Sequence, residues 1–202
     1  MKKIVLLLAF MMICVITLSA QTPRVHGFFK GTHTNDVYTD RRDLKNIEGE
    51  ILVRMMFYEH TVGISGYSMV NDSVATIAAG IGFLASKNIR FDLAAGVEID
   101  PENSEKHGIF IGRMWVGDPY NDLWTNIWAG ERIRYQVIYA HNFTEWLGLG
   151  VAAEDLKGYG LYASISPLKN FSVFSKALYN GKNEGKKLGY NLVIDVGAMV
   201  SF

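Results

Sequence analysis

Cysteine is all but missing from this 202-residue sequence, and neither sign of charge dominates it. The single cysteine, Cys14, lies in an apolar N-terminal stretch, and Ile13 before it is not the small residue that lipid attachment to a cysteine would need. If that stretch is removed on export, the remaining chain has no disulfide, no thiolate metal site and no cysteine nucleophile. Twenty Lys and Arg balance twenty Asp and Glu, so the basic excess of a nucleic-acid binder is lacking. No amphipathic helix of any length is visible. Beyond the N-terminus no apolar run approaches the roughly 20 residues of a membrane-spanning helix. Any passage through a bilayer must therefore be as a closed barrel, since only helices and closed barrels satisfy every backbone group in lipid.

What is present begins with an export signal. Lys2 and Lys3 precede the apolar run Ile4 to Leu18, and Leu18-Ser19-Ala20 offers a small residue before a cut at Gln21, the pattern of a secretory signal peptide over residues 1–20. Residues 21–202 then form one domain with a formal charge of −2.

The strongest pattern in that domain is an alternation of period two, which marks strands. From Leu188 to Phe202 one register reads Leu188, Tyr190, Leu192, Ile194, Val196, Ala198, Val200 and Phe202, while the other reads Gly189, Asn191, Val193, Asp195, Gly197, Met199 and Ser201. Fifteen residues exceed an ordinary soluble strand of about 5–6 and suit a tilted strand across a bilayer. Ile89 to Ile99 repeats the contrast, with Ile89, Phe91, Leu93, Ala95, Val97 and Ile99 against Arg90, Asp92, Ala94, Gly96 and Glu98. Ile47 to Tyr58, Val62 to Val70, Val74 to Ala85, Arg132 to Ala140, Trp146 to Ala153, Tyr159 to Ser166 and Phe171 to Tyr179 read likewise as strands. Arg24 to Thr34 is a weak strand, Gly108 to Val116 a strand of unassigned register, and Leu123 to Trp128 a short strand or a loop. Twelve strands follow if all are counted, with ten or eight as alternatives.

The fold class expected is all-β, an antiparallel transmembrane barrel. Short turns fall at one end and longer polar loops at the other, as in outer-membrane barrels. Aromatic residues gather near strand ends (Phe57, Tyr139, Phe143, Trp146, Phe171, Tyr179), as an interfacial girdle would. Periodicity by itself also fits a soluble periplasmic β-sandwich or a lipocalin-like binding module, whose apolar faces would form a core.

The closing strand with its terminal Phe202 resembles that of bacterial outer-membrane barrels, whose final aromatic is part of the signal read by the barrel-assembly machinery. The segment Arg132-Ile133-Arg134-Tyr135-Gln136-Val137-Ile138-Tyr139-Ala140-His141-Asn142-Phe143 is similar to a strand and turn of the Gram-negative porin family. The resemblance implies an outer-membrane location, lipid and the assembly machinery as partners, and a narrow channel for ions or small polar solutes. A non-conducting structural or surface-contact barrel is the alternative. Family porins have about 16–18 strands and a long constriction loop, for which this chain is too short, so no constriction residue is carried over.

The residues expected to do the work are the inward charges, Glu48, Glu50, Asp92, Glu98 and Asp195 against Arg54, Arg90, Arg132, Arg134 and Lys176. They either pair across the lumen and plug it or line an aqueous path. Other motifs have plainer readings. Gly80-Ile81-Gly82-Phe83-Leu84-Ala85 matches a loose dinucleotide fingerprint, which needs a helix after its glycines, whereas here a strand pattern runs on. The histidines His26, His33, His60, His107 and His141 are scattered, with no metal-ligand spacing. His107 beside Glu105 is the sole hint of a catalytic cluster, and a solvated loop explains it better. No cofactor, metal, nucleic acid or catalytic residue is expected.

Overall fold

A computed structural model of the chain describes residues 24–36, 46–57, 61–71, 74–100, 104–155, 157–180 and 191–202. The expected signal segment, with Cys14, lies outside the described residues, as does most of the first long loop. Twelve strands follow in order: β1 (Arg24–Asp36), β2 (Asn46–Phe57), β3 (Val62–Val70), β4 (Ala75–Ser86), β5 (Ile89–Ile99), β6 (Lys106–Gly117), β7 (Asn121–Ala129), β8 (Ile133–Thr144), β9 (Leu147–Glu154), β10 (Gly158–Leu168), β11 (Phe171–Asn180) and β12 (Asn191–Ser201).

Each strand pairs antiparallel with the next, and β1 pairs with β12 from Phe28↔Ser201 to Asp36↔Val193, which closes the sheet. Closure leaves no edge strand. The segments of doubtful type, Arg24–Thr34 and Leu123–Trp128, are both full strands, which removes the ten- and eight-strand alternatives. The breaks after β2, β4, β6, β8 and β10 lie at the end that also carries Arg24 and Phe202, here the turn end. The breaks after β1, β3, β5, β7, β9 and β11 lie at the other, the loop end. His141-Asn142 is not a turn: β8 continues through it and reverses at 145–146.

Two faces of opposite chemistry result. Ile77, Leu93, Phe110, Leu161 and Val196 are exposed on the outside, whereas Glu50, Arg54, Asp92, Lys176 and Asp195 are buried inside. A soluble sandwich or lipocalin-like module would show the reverse, an apolar interior under a polar surface, so that alternative falls. So continuous an apolar outer belt is stable only in hydrocarbon. Tyr139, Phe143, Trp146 and Tyr120 are exposed toward the turn end, and Tyr159 meets Tyr179 edge-on at 6.1 Å toward the loop end.

Local chemistry fixes the turns and the seam. Asp118 accepts backbone N–H bonds from Tyr120 (2.8 Å) and Asn121 (2.9 Å), closing the β6–β7 turn. Those bonds hold its carboxyl below the usual carboxylate range. At the seam, Phe202 and Gly27 exchange backbone bonds of 3.0 and 3.1 Å, and the Phe202 ring lies 5.4 Å from that of Phe29. A side chain on Gly27 would run into the Phe202 ring, so the glycine is the floor on which the last residue rests.

Candidate functional site

The interior is filled by two apolar lobes with charged groups between and around them. One lobe is Leu52, Tyr67, Met69, Ala78, Ile109, Ile111 and Trp128, drawn from β2, β3, β4, β6 and β7. The other is Ala152, Leu178 and Val193, joined by Ile138 and Tyr162. Apolar side chains inside a polar-lined barrel reduce the charge that must be hydrated or paired.

Against the first lobe sits a cross-lumen ion cluster. Lys30 on β1 reaches Glu50 (2.6 Å) and Glu48 (3.7 Å) on β2, and Arg113 crosses from β6 to bond Glu50 from the other side. The Arg113 guanidinium lies 4.0 Å from the Tyr67 ring centre and 5.7 Å from that of Phe28, a cation–π support for a charge that has left water. Tyr67 in turn is 3.4 Å from the Trp128 ring nitrogen.

A second pair bridges β2 and β5 over the two strands between them. Arg54 on β2 donates to Asp92 on β5 through Nε (2.6 Å) and through a guanidinium nitrogen. It passes over small residues, Ser65 on β3 and Gly82 on β4. A Cβ on Gly82 would stand 2.9 Å from Asp92 Oδ1, so this glycine makes room for the fork. Arg90 takes part differently, lying 5.4 Å from the Trp115 ring centre, whose N–H donates to Asp122 (2.9 Å).

Across the lumen, Lys176 on β11 bonds both Glu154 on β9 and Asp195 on β12, the latter at 2.9 Å. Lys157, from the 155–157 turn, reaches Asp195 (2.9 Å), Glu154 (3.4 Å) and the Thr34 hydroxyl (3.3 Å). Burial pushes the Lys157 ammonium down, but the Glu154 and Asp195 carboxylates more than offset this and hold it above the usual lysine range. Gln136 extends the network, donating to Glu154 (2.7 Å) and accepting from Asn126 (3.0 Å). Between the two ion clusters lies a central cavity of about 80 Å³, walled by Lys30, Glu50, Arg54, Gln136, Tyr162 and Lys176 among others. That is room for a few water molecules.

Of the ten charges singled out in the sequence, nine stand on strands with inward parity: Glu48, Glu50, Arg54, Arg90, Asp92, Glu98, Arg134, Lys176 and Asp195. Arg132 does not. It lies in an exposed bend before β8, leaving Arg134 alone on that wall, bonded to Glu98 across β6 and β7. Sequence reasoning missed four that matter, Lys30, Arg113, Glu154 and Lys157. Glu154 and Lys157 fall between the strands that the alternation marks, Trp146 to Ala153 and Tyr159 to Ser166, yet Glu154 ends β9 and Lys157 folds back inside. His107 sits at the loop-end rim, 3.1 Å from Glu131 and 3.7 Å from Glu105. The glycine-rich segment 80–85 lies within β4. Among the described residues no group of three His, Asp, Glu or Cys side chains could hold a metal ion.

A closed barrel, apolar outside and charged inside, is the architecture of outer-membrane β-barrel proteins, and comparison with solved structures agrees. A KdgM porin in complex with disordered oligogalacturonate matches with a TM-score of 0.54 at 12% identity, covering 87% of this chain and 99% of that one. A NanC porin matches at 0.50 and 5% identity, covering 86% and 98%. An outer membrane phospholipase A from Escherichia coli matches at 0.53 and 9% identity, covering 90% and 98%. At such identities the likeness is one of fold. No protein-family model matches the sequence, and a search of the curated proteins finds no relative.

Proposed function

We propose that this chain is an outer-membrane barrel that passes ions or small polar solutes through a narrow lumen lined by paired charges. The carrying observation is the cavity between the two ion clusters, at the centre of a closed barrel. Water and ions are the species that such a lining accommodates. The porins of the same fold lend support, as far as fold alone can. In planar bilayers the purified protein should give small, discrete conductance steps. Replacing Arg54 and Asp92 together by serine removes one fork across the lumen without stranding a charge, and should raise the unit conductance severalfold.

A second reading, a closed scaffold or surface-contact barrel, is favoured by those same bridges, since Arg113–Glu50 and Arg54–Asp92 cross the lumen. Silence over a wide voltage range in the wild type and in the double serine variant would select it.

The reading also assigns Phe202 to assembly. In the Phe202→Ala variant the ring contact to Phe29 and the cover over Gly27 are lost. The amount of heat-modifiable barrel recovered from cell envelopes should fall, while refolding into detergent proceeds. Equal recovery of both proteins from envelopes would show that the last side chain is not read.

A further inference from the structure

Lys157 stands apart from the other lumen cations, because it belongs to a turn rather than to a wall. Its partners come from three separate strands: Glu154 from β9, Asp195 from β12 and Thr34 from β1. An ammonium group has three N–H donors, and three acceptor oxygens meet Lys157 Nζ at 2.9, 3.3 and 3.4 Å. Those acceptors are held from below by Lys176, which bonds both carboxylates. The receptor is therefore part of the wall, whereas its occupant hangs on a short connection.

Exposure divides in the same way. Asp195 and Glu154 side chains are 0% and 6% exposed, and that of Lys157 is 29%. The acceptor capacity also exceeds what Lys157 uses, since Asp195 Oδ1 is buried without a partner. With Lys157 in place two cations face two carboxylates. Withdrawal of Lys157 leaves one negative charge in a buried, acceptor-rich niche at the loop end.

We infer that the loop-end mouth of the lumen holds a receptor for a primary ammonium ion, built from Glu154, Asp195 and Thr34, in which Lys157 is a tethered occupant that small primary-amine solutes displace. A quaternary ammonium has no N–H to offer these oxygens, and an alkali cation gains no directional bonds from them. The Lys157 side chain thereby acts as a plug with a matching key. Binding stands on the geometry of the niche. Only the passage of the bound solute rests on the channel reading.

The test is chemical rescue of the full barrel refolded in detergent micelles. Lys157→Met keeps an apolar stem but removes the ammonium, so the temperature at which the folded gel form is lost should drop. Methylammonium chloride should restore most of the loss. Tetramethylammonium chloride and sodium chloride at equal ionic strength should restore little. Equal rescue by all three salts, or rescue by none, would overturn the receptor. Should the Met variant not refold, Lys157→Gln retains two N–H donors and must show the same order of salts. Rescue needs no conduction, so a barrel that is rescued yet silent in bilayers refutes the channel and leaves the receptor standing.

Discussion

Replacing Glu50 by alanine should destabilise the folded barrel by roughly 3–5 kcal/mol, the cost of stripping a buried charge of its partner. Glu50 is 3% exposed and holds two cations at once, Lys30 at 2.6 Å and Arg113 from across the lumen. Without it, Arg113 keeps the rings of Tyr67 and Phe28 but bonds no carboxylate, since neighbouring Asp92 is held by Arg54, and Lys30 has only Glu48 at 3.7 Å. Two cations would then face one another over apolar neighbours. The double change Glu50→Met with Arg113→Met should cost much less than Glu50→Ala, because a buried pair exchanged for packed apolar groups is often neutral. Chemical unfolding in micelles, followed by tryptophan emission, measures both. A loss below about 1 kcal/mol for Glu50→Ala would place this cluster in a hydrated lumen, where ion pairs have that modest worth.

The legibility of the chain follows from the same packing. β5 and β12 could be read directly, because their inner registers carry charge or glycine while their outer ones are wholly apolar. β6 could not. Its inward residues Ile109, Ile111 and Trp115 are as apolar as its outward Phe110, Met114 and Val116, since a filled barrel buries apolar groups on its inner side as well. Arg113 was hidden in that ambiguity, and only the pairing Asp92↔Arg113 assigns it to the lumen. Lys30 shares the inward register of β1 with His26 and Phe28, a strand whose alternation is too weak to mark it as a lumen charge. Lys157 was invisible for another reason: nothing in Glu154-Asp155-Leu156-Lys157-Gly158 distinguishes a turn that folds inward from one that faces solvent. Local periodicity reports which face a residue occupies, and only the partner strands report what it meets there.

The outer face gives the most direct test of where the barrel sits. Leu93 is 58% exposed near the middle of β5, flanked in register by Ile81 on β4 and Gly112 on β6. Ile133 is 69% exposed at the loop-end start of β8. In water, arginine at either position would change stability little, since each side chain is already largely in solvent. In a bilayer the two differ. Arginine at the hydrocarbon midplane costs a transmembrane barrel roughly 2–4 kcal/mol, falling to about 0–1 near the interface. Leu93→Arg should therefore lose that larger amount in lipid vesicles while Ile133→Arg loses little, with unfolding in urea as the measurement. The contrast should shrink in detergent micelles, whose thin apolar shell lets the arginine reach water. If both variants match the wild type in vesicles, the apolar belt of β4 to β6 does not lie in hydrocarbon, and the membrane-spanning reading fails with it.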